Sequence, residues 1–390
     1  MIYMKPTWSV FLLLSLFISA VTSWATIPTL VTQIRTPHGG IQPQAVVDSN
    51  GGVHLIYFQG KASGGDIFYV RQKQGGETFT DPIPVNSEAG SAIATGTIRG
   101  AHLALGRNGR MHVAWNGAKP VAGASYKGVP MWYARLDDSG GRFEPQRNLI
   151  TFAGGLDGGG SVAADAAGNV YVLWHGSAPD NSAGEPGRAV FIAKSADGGR
   201  TFSTEKAVSP KASGACGCCG MRAFTDRTGN LFALFRGAST MMDRDEVLMV
   251  SRNQGERFDV LNRSPWSIAA CPMSSAAFCE SKAGVFAAWE TTGQIQFAAV
   301  DTATGLAGKP ASPPGTAKRK HPAIASNHRG EVLLAWTEGT GWQRGGALAW
   351  QVFDASGKPI GEKGRVADGV PVWGLVAAIA RPDGSFVIFH

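Results

Sequence analysis

Seven segments of the chain repeat one pattern of hydrophobic and polar positions. In each segment an apolar stretch leads through polar residues to a glycine, and alternating hydrophobic positions then run to an aromatic end. These segments are residues 44–57, 102–115, 161–174, 221–235, 274–289, 322–336 and 375–390, and their successive ends lie 47 to 61 residues apart. Strand, turn and strand repeated at this period predict a radial array of small sheets.

The alternation after each glycine identifies the strands. In the first segment Val53, Leu55 and Tyr57 share one face, and Ile56 between them is also apolar. A strand that is apolar on both faces has to be packed between two neighbours, as in a blade enclosed by two other blades of a β-propeller. Seven hairpins predict seven blades of four antiparallel strands each, with six blades as the alternative. Residues 30–34 are expected to return as the outer strand of the last blade and close the ring.

Composition agrees with an all-β fold and excludes several other classes. Glycine (52 residues) and proline (21) are frequent, and charged residues make up only 17%, which is low for solvent-facing helices. The 44% of hydrophobic residues excludes disorder, so residues 26–390 are predicted to form a single propeller domain. The net charge of +7 is modest and scattered, and the basic run at residues 318–321 is interpreted as a solvated loop. We therefore expect no nucleic-acid partner.

The first 25 residues have the pattern of a signal peptide. Lys5 precedes an apolar run at residues 10–21, and Ser23, Trp24 and Ala25 fit the small-x-small rule for cleavage near Ala25. The apolar run is short for a membrane span, and no later segment approaches the necessary length. We expect a secreted or periplasmic protein, without a membrane span and monomeric.

A second motif follows the hairpins at a regular distance. Residues 195–202 (SADGGRTF) match the Asp-box pattern S-x-D-x-G-x-T-F, and weaker copies occur at residues 72–79, 136–143 and 251–258. An aspartate or asparagine in such a box caps backbone N–H groups, the glycine permits positive φ, and the aromatic residue packs into the blade. The box residues are Ser195, Asp197, Gly199, Thr201 and Phe202. Their predicted role is structural, without chemistry.

Four such boxes in register with seven hairpins make the chain resemble the sialidase-like Asp-box (BNR repeat) propellers. The resemblance implies a retaining glycosidase with a tyrosine nucleophile, an aspartate acid/base and three arginines that bind a carboxylate. That family has six blades, places its first arginine where this chain has residues 41–44 (IQPQ), and has a late tyrosine, whereas the last tyrosine here is Tyr171. Weak catalytic candidates are Tyr126, Asp157, Glu185 and Glu338. Enzymatic activity, as an exo-sialidase-like glycoside hydrolase with a non-standard site, stays an alternative.

The long connections predict where a ligand binds. Loops that lead into the inner strands and loops that follow the hairpins should lie on one face, and long loops on a rigid scaffold usually form binding sites. The candidate ligand-binding residues on this face are Arg99, His102, Arg222, His321, Trp342, Arg344 and Trp373, with Trp266 as a further aromatic. Tryptophan stacks on sugars and arginine pairs with carboxylates, so the favoured function is binding of a glycan or another anionic extracellular ligand.

The cysteines form a second candidate site. Cys216, Cys218 and Cys219 precede the fourth inner strand and Cys271 precedes the fifth, at similar distances from the hairpin ends, so all four should lie close together. The pattern C-x-C-C followed by C-P resembles an uncharacterised bacterial subgroup of sialidase-like proteins. Two disulfides are favoured for an exported protein, while a Cu or Zn site and a redox-active pair are the alternatives. Cys279 is expected to be an inert core thiol.

Overall fold

The computed structural model of the protein describes residues 1–4, 30–76 and 78–390. The predicted signal peptide and the cleavage position at Ala25 lie outside these residues, apart from residues 1–4. In the described part of the chain, regular structure consists of 27 strands and four three-residue 3₁₀ turns. Those turns are Pro37–Gly39, Arg107–Gly109, Glu185–Gly187 and Lys211–Ser213. None of these described helical turns is long or apolar enough to cross a membrane.

The strands form seven sheets, numbered here as blades in chain order. The first strand is β1 (Val31–Ile34), which belongs to blade 7. Blade 1 contains β2 (Ile41–Val47), β3 (Val53–Lys61), β4 (Gly64–Gln72) and β5 (Ile83–Pro84). Blade 2 contains β6 (His102–Leu105), β7 (Met111–Asn116), β8 (Met131–Arg135) and β9 (Arg147–Asn148). Blade 3 contains β10 (Ser161–Ala164), β11 (Val170–Gly176), β12 (Ala189–Ser195) and β13 (Lys206–Ala207).

The remaining blades follow the same scheme. Blade 4 contains β14 (Arg222–Thr225), β15 (Leu231–Arg236), β16 (Glu246–Ser251) and β17 (Asp259–Ser264). Blade 5 contains β18 (Ala276–Ser281), β19 (Gly284–Thr291), β20 (Gln294–Asp301) and β21 (Gly305–Ala311). Blade 6 contains β22 (Arg319–Ser326), β23 (Val332–Glu338), β24 (Gly346–Phe353) and β25 (Pro359–Val370). Blade 7 contains β26 (Ala377–Ala380), β27 (Phe386–Phe389) and β1.

The seven-bladed all-β propeller predicted from the repeats is confirmed. In blades 1 to 6 four antiparallel strands follow one another in chain order from the inner to the outer edge. Blade 7 differs, because β1 is its third strand and runs parallel to β27, with Val31 opposite Phe386. Only residues 35–40 separate β1 from β2, so β1 has to end on the face where the inner strands begin. The second strands end on that same face, and β1 therefore runs in the direction of β27.

The core lies between the blades. Every residue of β11 is buried, on both faces of the strand, as predicted from its continuous apolar character. Trp115, Trp174 and Trp289, which end three of the repeats, are at most 2% exposed. Full burial of such large side chains contributes about 1.5–3 kcal/mol each, so the faces between the blades hold the ring together.

The turn between β12 and β13 is held by its own side chains. Asp197 Oδ1 accepts hydrogen bonds from the N–H groups of Arg200 and Thr201, both at 2.9 Å, and its Oδ2 accepts one from Thr201 Oγ1 at 2.7 Å. Ser195 Oγ accepts one from the Gly199 N–H at 2.8 Å, and Gly199 has a φ of 78°. Burial raises the pKa of the Asp197 carboxyl, but these hydrogen bonds outweigh it and hold the pKa below its usual range. The side chain of Asp197 thus caps the turn.

Replacing Asp197 with alanine is expected to lower the free energy of unfolding by about 1–2 kcal/mol, because several turn N–H groups lose their acceptor. A carboxylate with a lowered pKa stabilises the fold above its unfolded pKa, so the loss should shrink as the pH falls toward and below that value. Urea unfolding of the variant at pH 7 and at pH 3 measures both effects. The matched control is Asp180→Ala in an exposed loop, which should change stability by less than about 0.5 kcal/mol. Equal losses in the two variants would contradict the capping role.

Candidate functional site

A channel runs through the ring of inner strands and contains two cavities. The upper cavity, on the side of the long loops, has a volume of about 90 Å³. The lower cavity has a volume of about 450 Å³ and is lined largely by small residues of the inner strands. Arg222, the first residue of β14, is among the residues that line both cavities. The polar residues of the upper cavity are Gln42, Gln44, Thr97, His102, Arg222, Ser275 and His321.

Among the described residues that line the upper cavity, Arg222 is the only one with a charged side chain. Its Nη1 donates to Gln44 Oε1 at 2.7 Å and to His102 Nδ1 at 3.1 Å. Burial lowers the pKa of Arg222 to about 10, which still leaves the guanidinium charged at neutral pH. No carboxylate lies among the described residues that line this cavity, so the charge is not neutralised there. A half-buried guanidinium without a carboxylate partner in the cavity favours an anion, and the upper cavity is a candidate anion-binding site.

Two neutral histidines complete the polar lining of the upper cavity. Burial, and then the charge of Arg222, lower the pKa of His102 well below its usual range, and His102 Nδ1 also lies 2.9 Å from Ser161 Oγ. Burial, and then Lys320, lower the pKa of His321 to about 3. Both imidazoles are therefore neutral at pH 7 and offer hydrogen bonds to a ligand without adding charge.

The other arginine predicted near the channel is already paired. Arg99 forms an ion pair with Asp157, and its Nε also donates to the Asp157 carbonyl oxygen at 2.7 Å. Its Nη1 donates to the Thr95 carbonyl oxygen at 2.9 Å. The charge of Arg99 is thus neutralised by the carboxylate that the sequence offered as a catalytic candidate.

The remaining catalytic candidates do not meet at one place. The Tyr126 hydroxyl accepts a hydrogen bond from Asn148 Nδ2 at 2.8 Å beside the core of blades 2 and 3. Glu185 accepts hydrogen bonds at 2.7 Å from the Gly217 N–H and at 2.8 Å from Arg244 Nη2. Glu338 accepts hydrogen bonds from Trp336 Nε1 at 2.9 Å and from Arg365 Nε at 3.0 Å. None of the three lines the upper cavity.

The predicted aromatic and basic ligand-binding residues divide between two places. Trp342 is 57% exposed and forms an edge-to-face pair with Trp373, with ring centroids 4.8 Å apart. Gln42 Nε2 donates to the Trp373 carbonyl oxygen at 2.9 Å, which attaches this pair to the rim of the upper cavity. Arg344 and Trp266 instead line a separate groove of about 600 Å³. This lateral groove is also lined by Cys271, Pro272, Glu290, Lys318, Lys320 and Thr340.

The structure confirms that Cys218 and Cys271 lie together. They form a disulfide between the loops that lead into blades 4 and 5, with Cα atoms 6.4 Å apart. Cys216 Sγ lies 3.4 Å from Cys218 Sγ and 3.2 Å from Cys219 Sγ. The expected second bridge is not formed, because Cys216 and Cys219 are free thiols. Cys279 lies apart from this cluster and lines the lower cavity.

Sequence reasoning missed a buried charged group beneath the cysteines. Arg236, the last residue of β15, is 0% exposed and forms an ion pair with Glu246 at 2.9 Å. It also donates to Ser274 Oγ at 3.1 Å and to the Glu290 carbonyl oxygen. Burial raises the pKa of Glu246 and of Glu290, and the positive charge of Arg236 opposes both shifts. The only sequence signal was an arginine that directly follows the apolar run LFALF.

This buried arginine also acts on the thiols. Burial raises the pKa of Cys219, but the hydrogen bond from the Cys216 thiol and the charge of Arg236 outweigh it and lower the pKa. The hydrogen bond that Cys216 donates, together with burial, raises the pKa of Cys216. Cys219 is therefore the thiol that ionises first.

The sulfur atoms of Cys216, Cys218 and Cys219 all lie within 4.8 Å of one another. Thiolates are the ligands that Cu(I) and Zn²⁺ prefer, so the donor set fits a soft metal. With the Cys218–Cys271 bridge formed, two of the four cysteines keep free thiols. A four-thiolate zinc site would require this bridge to be reduced.

No protein-family model and no curated protein matches the sequence. Solved structures that it resembles include an α-L-arabinanase of Penicillium chrysogenum (TM-score 0.52, 12% identity, 85% of this chain and 98% of that one). A PL25 ulvan lyase gives a TM-score of 0.52 at 11% identity over 87% of this chain and 88% of that one. The NanB sialidase of Streptococcus pneumoniae gives a TM-score of 0.48 at 10% identity over 76% of this chain and 64% of that one. Similarity at these identities establishes the propeller fold alone.

Proposed function

We propose that the protein binds an acidic saccharide, with the acidic group in the upper cavity and the sugar ring on the long-loop face. One observation carries the proposal: the guanidinium of the half-buried Arg222 faces the upper cavity, and no carboxylate lies among the described residues that line that cavity. Such a charge is stabilised by an anion that hydrogen-bonds to it, and a carboxylate or a sulfate ester supplies two or more acceptor oxygens.

The dimensions favour a single acidic group in the cavity. A volume of about 90 Å³ accommodates a carboxylate or sulfate group but is smaller than a typical site for a whole ligand. The ring that carries the group has to lie outside, where Trp342 presents an exposed aromatic face attached to the rim through Trp373. A ligand that stacks on tryptophan through a sugar ring and pairs with arginine through an acidic group is an acidic saccharide.

Saccharides are bound in two of the solved structures that the chain resembles, and one of these saccharides is acidic. The ulvan lyase with the same fold was solved bound to -[GlcA(1-4)Rha3S]-, a saccharide with a carboxylate and a sulfate, and the arabinanase was solved with arabinobiose. Asp-box ancestry and export by a signal peptide belong to the same proposal. The repeated boxes and the turn held by Asp197 support the first, and the sequence pattern of residues 1–25 supports the second.

Binding without hydrolysis is the form of the proposal that the side chains favour. Glycoside hydrolysis needs a nucleophile and an acid on either side of one glycosidic bond. Here Asp157 pairs with Arg99, and Glu185 pairs with Arg244. Carboxylate oxygens that are engaged by an arginine are not free to face a glycosidic oxygen as the acid or the nucleophile. The protein is therefore expected to leave a fluorogenic sialoside intact.

D-Glucuronate and D-glucose are the ligands that test the proposal, because they share a ring and differ in the carboxylate. We expect glucuronate to bind and glucose to fail, in titrations followed by tryptophan fluorescence and by calorimetry. Replacing Arg222 with glutamine should weaken glucuronate binding about 10- to 150-fold, since hydrogen bonds to charged groups contribute about 1.5–3 kcal/mol. Arg344→Gln, in the lateral groove, is the matched control and should keep the affinity.

Three results would overturn this assignment. Equal affinity for glucose and glucuronate, or unchanged affinity in the Arg222→Gln variant with a wild-type melting temperature, would remove the anion site from the upper cavity. Turnover of the fluorogenic sialoside that is lost in the same variant would replace binding with hydrolysis.

A further inference from the structure

Four sulfur atoms form a line of contacts, bent at Cys216, that leads from the interior of the protein to its surface. Cys219 and Cys216 are fully buried, and their sulfur atoms are 3.2 Å apart. Cys216 Sγ lies 3.4 Å from Cys218 Sγ, and Cys218 is bonded to Cys271, which is exposed. Each sulfur atom thus touches or is bonded to the next.

We propose that these four cysteines form a thiol–disulfide relay, which moves one disulfide between an outer pair (Cys218 and Cys271) and an inner pair (Cys216 and Cys219). The relay would let a buried dithiol reduce a disulfide substrate bound at the surface. This activity is separate from saccharide binding and does not rest on it.

Each step of the relay is a balanced exchange. Cys216 gives up its proton through the Cys219 sulfur that accepts its hydrogen bond and attacks Cys218 Sγ. The Cys216–Cys218 bond forms, and Cys271 leaves with the electron pair and takes up that proton. The Cys219 thiolate then attacks Cys216 Sγ, the Cys216–Cys219 bond forms, and Cys218 leaves as a thiolate that is protonated. The net change is one disulfide moved inward and two protons moved outward, so no external oxidant or reductant is consumed.

The fold favours both attacks. The two sulfur–sulfur contacts are shorter than 3.5 Å, and the inner pair has the C-x-x-C spacing that closes readily into a disulfide. Ser274 Oγ donates to Cys219 Sγ at 3.6 Å, and Glu185 accepts from the Gly217 N–H at 2.7 Å, so the loop between the cysteines is fixed from two sides. The reacting atoms need little movement to exchange partners.

The surroundings of Cys271 indicate the class of substrate. Cys271 lines the lateral groove, and three basic residues of the same groove are Lys318, Lys320 and Arg344. Glu290 contributes an acidic side chain to the groove. This excess of positive charge suits the disulfide of a small anionic thiol. Such a disulfide, RSSR, is attacked by the reduced outer pair, first by Cys271 and then by Cys218, which releases two RSH and restores the outer bridge.

The overall reaction converts the inner dithiol and RSSR into an inner disulfide and two RSH. Oxidised glutathione is the probe, because it is a small disulfide that carries several carboxylates. Purified protein with the thiols of the structure, Cys216, Cys219 and Cys279, should release two glutathione molecules per chain. The thiol count should fall from three to one, and peptide mass spectrometry should find both bridges and a free Cys279.

Variants distinguish the relay from a direct reaction of oxidised glutathione with the buried thiols. Cys216→Ser interrupts the line of sulfur atoms and should abolish release. Cys219→Ser should stop after the first step, with one glutathione released, one bound to Cys271 and a Cys216–Cys218 bridge. Cys279→Ser lies outside the line, so it is the matched control and should behave as the wild type.

Three findings in the glutathione experiments would refute the relay. The first is that folded wild-type protein with three free thiols releases no glutathione. The second is full release of glutathione by Cys216→Ser, and the third is glutathione attached to Cys216 or Cys219 instead of Cys271. Circular dichroism and the melting temperature of each variant show whether it is folded. Stoichiometric copper or zinc on the isolated protein, with thiols that do not react, would assign the cluster to metal binding and refute the relay as well.

Discussion

Replacing Arg236 with methionine is expected to lower the free energy of unfolding by about 3–5 kcal/mol. The substitution leaves the buried Glu246 without its ion-pair partner and Ser274 without the hydrogen bond it accepts. It also removes the guanidinium that lies 4.9 Å from the ring of Trp266. Because Arg236 belongs to blade 4 while Ser274 precedes blade 5, the loss falls on the contact between two blades. Urea unfolding followed by tryptophan fluorescence measures it.

The matched control is an arginine of the same blade at the surface. Arg227 forms an ion pair with Glu280 at 2.8 Å, but its side chain is 57% exposed. Exposed ion pairs contribute less than about 1 kcal/mol, so Arg227→Met should have a small effect. A loss below 1 kcal/mol in Arg236→Met would show that the buried ion pair does not hold the blades together.

Replacing Cys271 with alanine should lower the free energy of unfolding by about 4 kcal/mol. The Cys218–Cys271 bridge closes a chain segment with a sequence separation of 53 residues, and the entropy model of cross-linking gives this magnitude for such a loop. The bridges that the remaining cysteines can form, such as Cys216–Cys219, close only short loops and restore little of the loss.

Reduction of the wild-type protein provides the comparison for this prediction. With a strong dithiol reductant present, wild-type protein and Cys271→Ala should unfold at similar denaturant concentrations, and without it they should differ. A wild-type protein that is insensitive to the reductant while the variant is destabilised would assign the effect to lost packing at Cys271.

The fold could be predicted almost completely from the sequence, because the blade is a repeated unit. Strands with apolar residues on both faces and a glycine at each turn recur seven times, and their number sets the number of blades. β1 lies at the outer edge of blade 7, as predicted, but the pattern did not predict that this blade has three strands or that β1 runs parallel to β27. Its place next to β27 and its parallel direction follow from the short link to β2, a constraint of three-dimensional closure that the hydrophobic pattern does not contain.

The site could be predicted only in part. The position of Arg222 at the mouth of the channel followed from its place before an inner strand, and the proximity of Cys218 and Cys271 followed from equal spacing within two repeats. The pairing of Arg99 with Asp157 could not be foreseen, since it joins loops of different blades. Arg236 was missed because the alternating pattern places it at the end of a strand. The sequence does not reveal whether a charged side chain at such a position is buried or exposed.

The pairing of β1 with β27 has a consequence for how the protein acquires its structure during synthesis. Residues 31–34 leave the ribosome early, but their partners at residues 386–389 follow more than 350 residues later. At about 5–20 residues per second, blade 7 cannot assemble until some 20–70 seconds after its first strand has emerged. Through this interval the unpaired edges of β1 and of the early blades are open to other chains, which is when chaperone binding or fast stacking of blades 1 to 6 matters most.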